Sequence, residues 1–389
     1  MTERMLYLDH AATTSVDAAV LEAMLPYFSE CFGNPSSIYR LGRGALQALD
    51  DARSLTADVL HCAPKDLVFT GGGSESDNLA IKGAAFAARD QGKGNHIITS
   101  AIEHHAVLHA CDYLKAFGFE ITVLPVNSDG LVAPDDLSAA IRPETVLATI
   151  MYANNEIGTI QPIVEFGAIC RERGVLFHTD AVQAAGALSL DVNELHVDLL
   201  SLTAHKFHGP KGVGLLYVRR GTPLLPQMNG GGQERRRRAG TENVAGIVGF
   251  AAALQRAEER RSDYVEHCTA LRDRLVDGIM ERISDAQLNG HRTQRLPNNA
   301  NVSFAYAEGE SILLLLDRAG ICASAGSACT SGSLEPSHVL TALGLSRHEA
   351  HGSVRFTMGK DTTMADIDYV LQVLPPMIER LRSVSSITK

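Results

Sequence analysis

The sequence contains no C-x-x-C pair. Its seven cysteines, Cys31, Cys62, Cys111, Cys170, Cys268, Cys322 and Cys329, are odd in number and widely scattered. That argues against a disulfide framework and against a zinc site. No apolar run approaches the ~18 residues that a membrane helix needs. The opening MTERMLYLDHAATT lacks the basic-then-apolar pattern of an export signal. A reducing cytoplasm is the expected location. Positive charge is also scarce: the formal net charge is −10, which disfavours nucleic acid and anionic membrane as partners. The one basic run, Arg235 to Arg238, reads as a solvated or anion-facing loop. Internal repeats and low-complexity segments are absent.

What is there is an alternation of short apolar runs and helix-period segments. DLVFT (66–70), HIITS (96–100), EITVLPV (120–126), TVLATIMYA (145–153), VLFHTD (175–180), VDLLSLT (197–203) and VGLLYVRR (213–220) read as buried strands. Helices are clearest at 78–92, 105–118 and 162–174, each stopping at or near glycine. This alternation implies an α/β fold with a mostly parallel sheet covered on both faces. After about residue 262 the texture changes to a smaller α+β unit. It has a strand candidate at 298–306, a helix at 311–320, and a C-terminal helix expected to break at Pro375 and Pro376. Residues 243–262 read as a helical bridge. We therefore expect a large domain over 15–262 and a small one formed by 1–14 and 263–389.

Ligands of parallel sheets gather at the carboxyl ends of strands, and three such ends here carry suggestive residues. GGGSESDN (71–78) follows the first strand and precedes a helix. Its glycines would let backbone approach an anion, the helix start would supply N–H groups, and Ser74 a hydroxyl. Neither a G-x-G-x-x-G nor a P-loop pattern is present. Asp180 closes VLFHTD, with Gln183 three residues on; it reads either as a helix cap or as the partner of a ring nitrogen that must stay protonated. Lys206, one of only eight lysines, follows the strand VDLLSLT, where burial would favour a nucleophilic amine. Lys211 reads as structural. A phosphate cradle, an acid for a pyridine nitrogen and a lysine for a Schiff base are the requirements of pyridoxal phosphate.

Three further features stand out. His104 and His105 follow the strand HIITS, where one ring could stack on a flat cofactor or simply cap a helix. Cys329 sits in a stretch of Ser, Ala, Gly and Thr that is too poor in packing residues to be rigid, so its thiol should be mobile (loop about 323–334) and reactive. Cys322 reads as a small buried cysteine. Arg355, in VRFTMG, is either half of an ion pair or a fork for a carboxylate.

These residues carry a resemblance. YLDHAATT, FGNPSS, GGGSESDN, ANNEIGTIQPI, FHTDAVQA, AHKFHGPKGVG, RRAGTEN, AGSACTSGSLEPSHV and VRFTMG resemble the cysteine desulfurases of the class V aminotransferase superfamily, of fold-type I, over nearly the whole chain. GGQERRRRAGTEN and CTSGSLEPSHV look closer to the nitrogen-fixation (NifS-like) branch than to the housekeeping (IscS-type) branch. The resemblance implies pyridoxal 5'-phosphate held by Lys206 as the Schiff-base lysine, His104 on the ring, and Asp180 on the pyridine nitrogen. Asn155 and Gln183 would hold the ring oxygen. Gly73, Ser74, Thr203 and His205 would hold the phosphate. Thr241 would reach the phosphate of a neighbouring subunit, which implies a homodimer. Asn34 and Arg355 would receive the carboxylate of L-cysteine, and Cys329 would carry the removed sulfur as a persulfide, releasing alanine. Thr203 stands where serine or cysteine is common and Ala204 where glycine is common; the hydroxyl survives. An iron–sulfur scaffold protein of the NifU or IscU type would be the sulfur acceptor. The rivals are another aminotransferase or lyase of the same fold, which would need no thiol, and a binding protein that has lost catalysis. Neither explains Lys206, Asp180 and Cys329 together.

Overall fold

Apolar runs bounded by turn residues form strands through the first two-thirds of the chain. After β1 (Leu6–Tyr7) come β2 (Leu67–Thr70), β3 (His96–Ser100), β4 (Glu120–Leu124), β5 (Thr145–Thr149), β6 (Leu176–Asp180), β7 (Leu199–Thr203) and β8 (Gly214–Val218). The computed structural model describes residues 5–325 and 336–384. Strands β2 to β8 are the seven expected runs, each no longer than the run that encodes it. They form one sheet in the order β2-β8-β7-β6-β5-β3-β4. Only β8 runs against its neighbours; the other pairings are parallel. Burial on both faces explains why β3, β5 and β7 read as apolar runs rather than alternating ones; β4, at the edge of the sheet, is exposed or half-buried up to Leu124, which corrects the expectation of a buried strand there.

Because β2, β3, β5, β6 and β7 point the same way, their carboxyl ends share one edge of the sheet, where the chain turns into helices. The helix after β2 begins at Gly73 and runs to Asp90, so it takes in most of the glycine–serine segment that the sequence suggested as a turn. It packs Leu79, Ala80, Ile81, Ala84 and Ala88 into the core at helical spacing. Helices His105–Lys115 and Ile163–Arg173 also match expectation. The 21-residue helix Arg40–Leu60 is new; it buries Ala45, Ala48, Leu49, Ala52, Ala57 and Leu60 along one face.

The remaining strands are β9 (Ala286–Leu288), β10 (Asn299–Phe304), β11 (Ile321–Cys322) and β12 (Ser353–Thr357). Three of them form an antiparallel sheet, β12-β10-β9, and β11 pairs in parallel with β1. The N-terminal strand thus joins the C-terminal third of the chain. The apolar interior divides accordingly. One cluster draws on Val20 through Leu254; another draws on Leu6, Leu8 and residues from Cys268 to Ile378. Cys322 is half-buried rather than buried.

The expected break at Pro375 and Pro376 does not occur. The helix runs from Met364 to Val384 through both prolines. Pro375 cannot donate to the carbonyl of Leu371, but Arg282 Nη1 does so at 3.1 Å. Leu371, Leu374 and Ile378 are buried on either side of the pair, so packing holds the helix where its own ladder is interrupted.

Candidate active site

Lys206 lies in a 3-10 turn, Ala204–Lys206, directly after β7. Its ε-nitrogen donates to the carbonyls of Ala11 (2.5 Å) and Ala12 (2.7 Å). A cavity of about 320 Å³ opens beside it. Ten of the residues singled out from the sequence line that one cavity: Gly73, Ser74, His104, Asn155, Asp180, Gln183, Thr203, His205, Lys206 and Arg355. They come from the ends of β2, β3, β5, β6 and β7, and from β12. Asn34 and Thr241 do not border it. They line a separate concavity together. Cys329 lies outside the described residues.

Each polar side chain in the cavity is fixed by its surroundings. Asp180 ends β6; its Oδ1 accepts the Val182 amide at 2.9 Å. Burial pushes its carboxyl up to about 6, opposed by that amide and by Lys206. Gln183 Nε2 donates to the carbonyl of Ala11 at 3.0 Å. His104 is the N-cap of helix His105–Lys115, and its Nδ1 accepts the Ala106 amide at 3.1 Å. That contact fixes the tautomer with the proton on Nε2. Burial first, then the charge of Lys206, lowers His104 to about 4, so its ring is neutral at ordinary pH. His205 Nδ1 meets Thr13 Oγ1 at 3.2 Å, and Thr203 Oγ1 donates to the Val213 carbonyl at 3.2 Å. Asn154 turns inward and caps the amides of Glu156 and Ile157, whereas its neighbour Asn155 lines the cavity.

Arg355 is 1% exposed on β12. Nη1 donates to the Asn155 carbonyl and Nη2 to Asp9 Oδ1, both at 2.8 Å. The ion pair with Asp9 favours the bland reading, and the position on the cavity wall favours the functional one. Both hold at once. The basic run 235–238 is not simply solvated. Arg238 Nε meets Glu75 Oε1 at 2.8 Å, and Glu75 Oε2 accepts the Gly71 amide at 2.7 Å. This braces the loop leading into helix Gly73–Asp90.

His105, named with His104 from the sequence, borders the cavity as an eleventh; sequence reading missed Asp77, Glu156 and His338. Asp77 was within reach, since it lies one helical turn after Gly73 on the same face, but only once the helix is known to begin at Gly73.

The residues suit pyridoxal phosphate. A Cβ on Gly73 would come within 2.9 Å of Val182, so only glycine leaves the helix start open beside Thr203. The first turn of this 18-residue helix offers amide donors to an anion. A buried carboxylate and a primary amine face the same space. Among the described residues no group of His, Cys, Asp and Glu is arranged to hold a metal ion, and no helix is long and apolar enough to cross a membrane.

Known proteins resemble this chain over nearly its whole length. The sequence model of the aminotransferase class-V family matches residues 6–370. The cysteine desulfurase IscS of Methanosarcina thermophila is 54% identical over 385 residues, covering 99% of this chain and 95% of the relative. A solved structure described as a NifS-like protein superposes with a TM-score of 0.90 at 38% identity, covering 97% of this chain and all of that one. Another, described as SspA in complex with cysteine, gives a TM-score of 0.80 at 39% identity, covering 91% of this chain and 98% of that one.

Proposed function

The chain belongs to the class-V aminotransferase family and is a cysteine desulfurase, and from that premise we propose how its residues divide the work. Pyridoxal phosphate is the cofactor, and the amine of Lys206 is the group that would hold it covalently. When bound, it supplies an electron sink for negative charge at the α-carbon of the substrate. Gly73, Ser74, Thr203 and His205 hold its phosphate, Asn155 and Gln183 its ring oxygen, and His104 its ring face. Asp180 balances the charge of a protonated ring nitrogen. Thr241 serves the phosphate of a neighbouring subunit, which makes the working form a homodimer. The boundaries of the two domains fall near residues 14 and 262.

Arg355 receives the carboxylate of L-cysteine; Asn34, which borders a separate concavity with Thr241, joins it only from a neighbouring subunit. The amine of Lys206, once displaced, takes the α-proton, and neutral His104 assists proton movement at the substrate. Cys329 then attacks the substrate sulfur as a thiolate. An S–S bond forms, the Cβ–S bond breaks, the carbon takes a proton, and alanine leaves. The enzyme keeps a persulfide on Cys329. An iron–sulfur scaffold protein of the NifU or IscU type collects the sulfur in the cytoplasm. The IscS name of the relatives favours general cluster assembly, whereas the spelling of residues 231–243 and 329–339 favours nitrogenase.

One observation supports these roles above all: Lys206, Asp180 and Gly73, from three separate strand ends, border the same cavity. Cys329→Ala is the test. Alanine formation from cysteine under reducing conditions should vanish while the absorbance of the bound cofactor stays. Full activity in the variant would remove Cys329 from the reaction.

A further inference from the structure

Asp77 has no part in the scheme above, yet it lines the same cavity and is 1% exposed. It sits in helix Gly73–Asp90, one turn after Gly73, above β6 and β7. Among the described residues its Oδ1 has no hydrogen-bond partner. The imidazole of His178 on β6 comes within 3.8 Å, but both of its nitrogens are engaged elsewhere: Nδ1 with Thr149 Oγ1 at 2.8 Å, Nε2 with Ser201 Oγ at 3.0 Å. Burial lowers His178 to about 3, so that ring is neutral and the contact with Asp77 is no ion pair. Support for the Asp77 carboxyl comes from the hydroxyl of Ser201 on β7.

The groups facing Asp77 are acids. Asp180 at the end of β6 bears a charge of its own sign, and Glu103 after β3, pushed up to about 8 by burial, keeps its proton at neutral pH. Lys206, the nearby cation, acts on Asp180. A buried carboxylate with no cation in hydrogen-bond reach and two acids around it is costly to ionise. Burial first, then Asp180, drives the Asp77 carboxyl well above the usual carboxylate range.

We propose that Asp77 is a second acid of the cofactor site, a positioning residue that stays protonated near Asp180 and so leaves Asp180 as the one negative charge set against the pyridine ring. This rests on the cofactor reading above. Two buried acids divide the task by environment: the one countered by Lys206 and an amide ionises, and the one buried beside Asp180, away from that cation, holds its proton against the opposing pull of the Ser201 hydroxyl. Ionising both would set two like charges under the ring and shift its proton affinity.

The test is infrared spectroscopy of the holoenzyme prepared with carboxyl-labelled aspartate. Native protein at neutral pH should show the C=O stretch of a protonated aspartic acid, and Asp77→Asn should lose it. No such band, or a band that survives in the variant, would overturn the proposal. Absorbance of the bound cofactor gives the second readout. Asp77→Asn, the uncharged isostere, should keep the native band position at neutral pH and bind the cofactor within about threefold of native affinity; Asp77→Ala, which removes the carboxyl and leaves a void beside Asp180, should shift the band. Loss of the cofactor from Asp77→Asn, with the fold intact, would mean that the charge is needed and the proposal is wrong. If that variant does not fold, the labelled band of the native protein decides alone. Native protein without cofactor absorbance would overturn both this proposal and the cofactor reading, and is distinguished because absorbance and infrared report separately.

Discussion

The ε-nitrogen of Lys206 donates to the carbonyl of Ala12 at 2.7 Å, which fastens the end of β7 to the N-terminal segment. A second bond, to Ala11, sets the direction of the amine. Both acceptors are backbone, so side-chain changes at residues 11 and 12 leave them in place. Arginine at 206 keeps the donors but cannot form the imine. Lys206→Arg and Lys206→Ala should each lower alanine formation by about a thousandfold or more, with loss of the imine absorbance and retention of the circular dichroism of the fold. Imine absorbance in either variant would show that another amine holds the cofactor.

Arg355 is pre-aimed by Asp9 and the Asn155 carbonyl, each at 2.8 Å. A planar fork held at two points loses little freedom on gripping a carboxylate. Lysine keeps the charge and loses the fork. Arg355→Lys should lower kcat/KM for cysteine by ~10- to 100-fold, mainly through KM. Steady-state kinetics checks the split; an effect confined to kcat would mean that the guanidinium does not bind substrate.

The sheet was legible because a strand buried on both faces must be a continuous apolar run, as at β5 and β7. Ser74, His104, Asp180, Gln183 and Lys206 were legible because such a fold gathers strand ends on one edge, whereas Asn155, Thr203 and His205 came from the family resemblance alone. Helix Arg40–Leu60 was not singled out, although Ala45, Leu49, Ala52 and Leu60 recur at helical spacing on its buried face. The prolines misled for a different reason. Proline forbids its own hydrogen bond, but the freed Leu371 carbonyl is satisfied by Arg282, ninety residues distant in sequence (~90). Asp77 stayed hidden because its meaning depends on Asp180, His178 and Ser201, which only the folded sheet brings near it. Asn34 and Thr241 border another concavity, so residue type and motif alone did not tell which wall they join.

Arg53 and Glu234 form a buried pair, with Nη2 to Oε1 at 2.7 Å and Nη1 to Oε2 at 3.1 Å. Glu234 Oε2 also accepts the Phe69 amide on β2 at 3.1 Å. The pair holds Glu234, Arg235 and Arg236 in left-handed backbone, with φ of 44°, 56° and 65°. Side chains rarely adopt that conformation without such restraint. Glu234→Ala leaves the Arg53 charge buried without its partner and should cost about 3–5 kcal/mol. Arg53→Met combined with Glu234→Ala should cost less than the sum of the single changes. Urea unfolding of the three variants measures both quantities; strict additivity would show that the two side chains do not stabilise each other.

Glu103 gives the clearest dependence of stability on pH. It is buried after β3, and its Oε1 accepts both the Ser100 hydroxyl (2.5 Å) and the Met151 amide (2.9 Å). Its Oε2 has no partner. Burial pushes the carboxyl up to about 8, against an ordinary 4.5, with the two hydrogen bonds opposing. The unfolded chain therefore gives up this proton first as pH rises, and the folded protein keeps it. Between these two values the folded state binds more protons, so stability falls with rising pH and levels off above about 8. Glutamine retains the Oε1 acceptor and removes the titration. Glu103→Gln should thus unfold at nearly the same urea concentration as native protein near pH 4.5 and at a clearly higher one at pH 8, a gain of several kcal/mol. Parallel native and variant curves across that window would mean that Glu103 is ionised in the folded protein and that a cation reaches it.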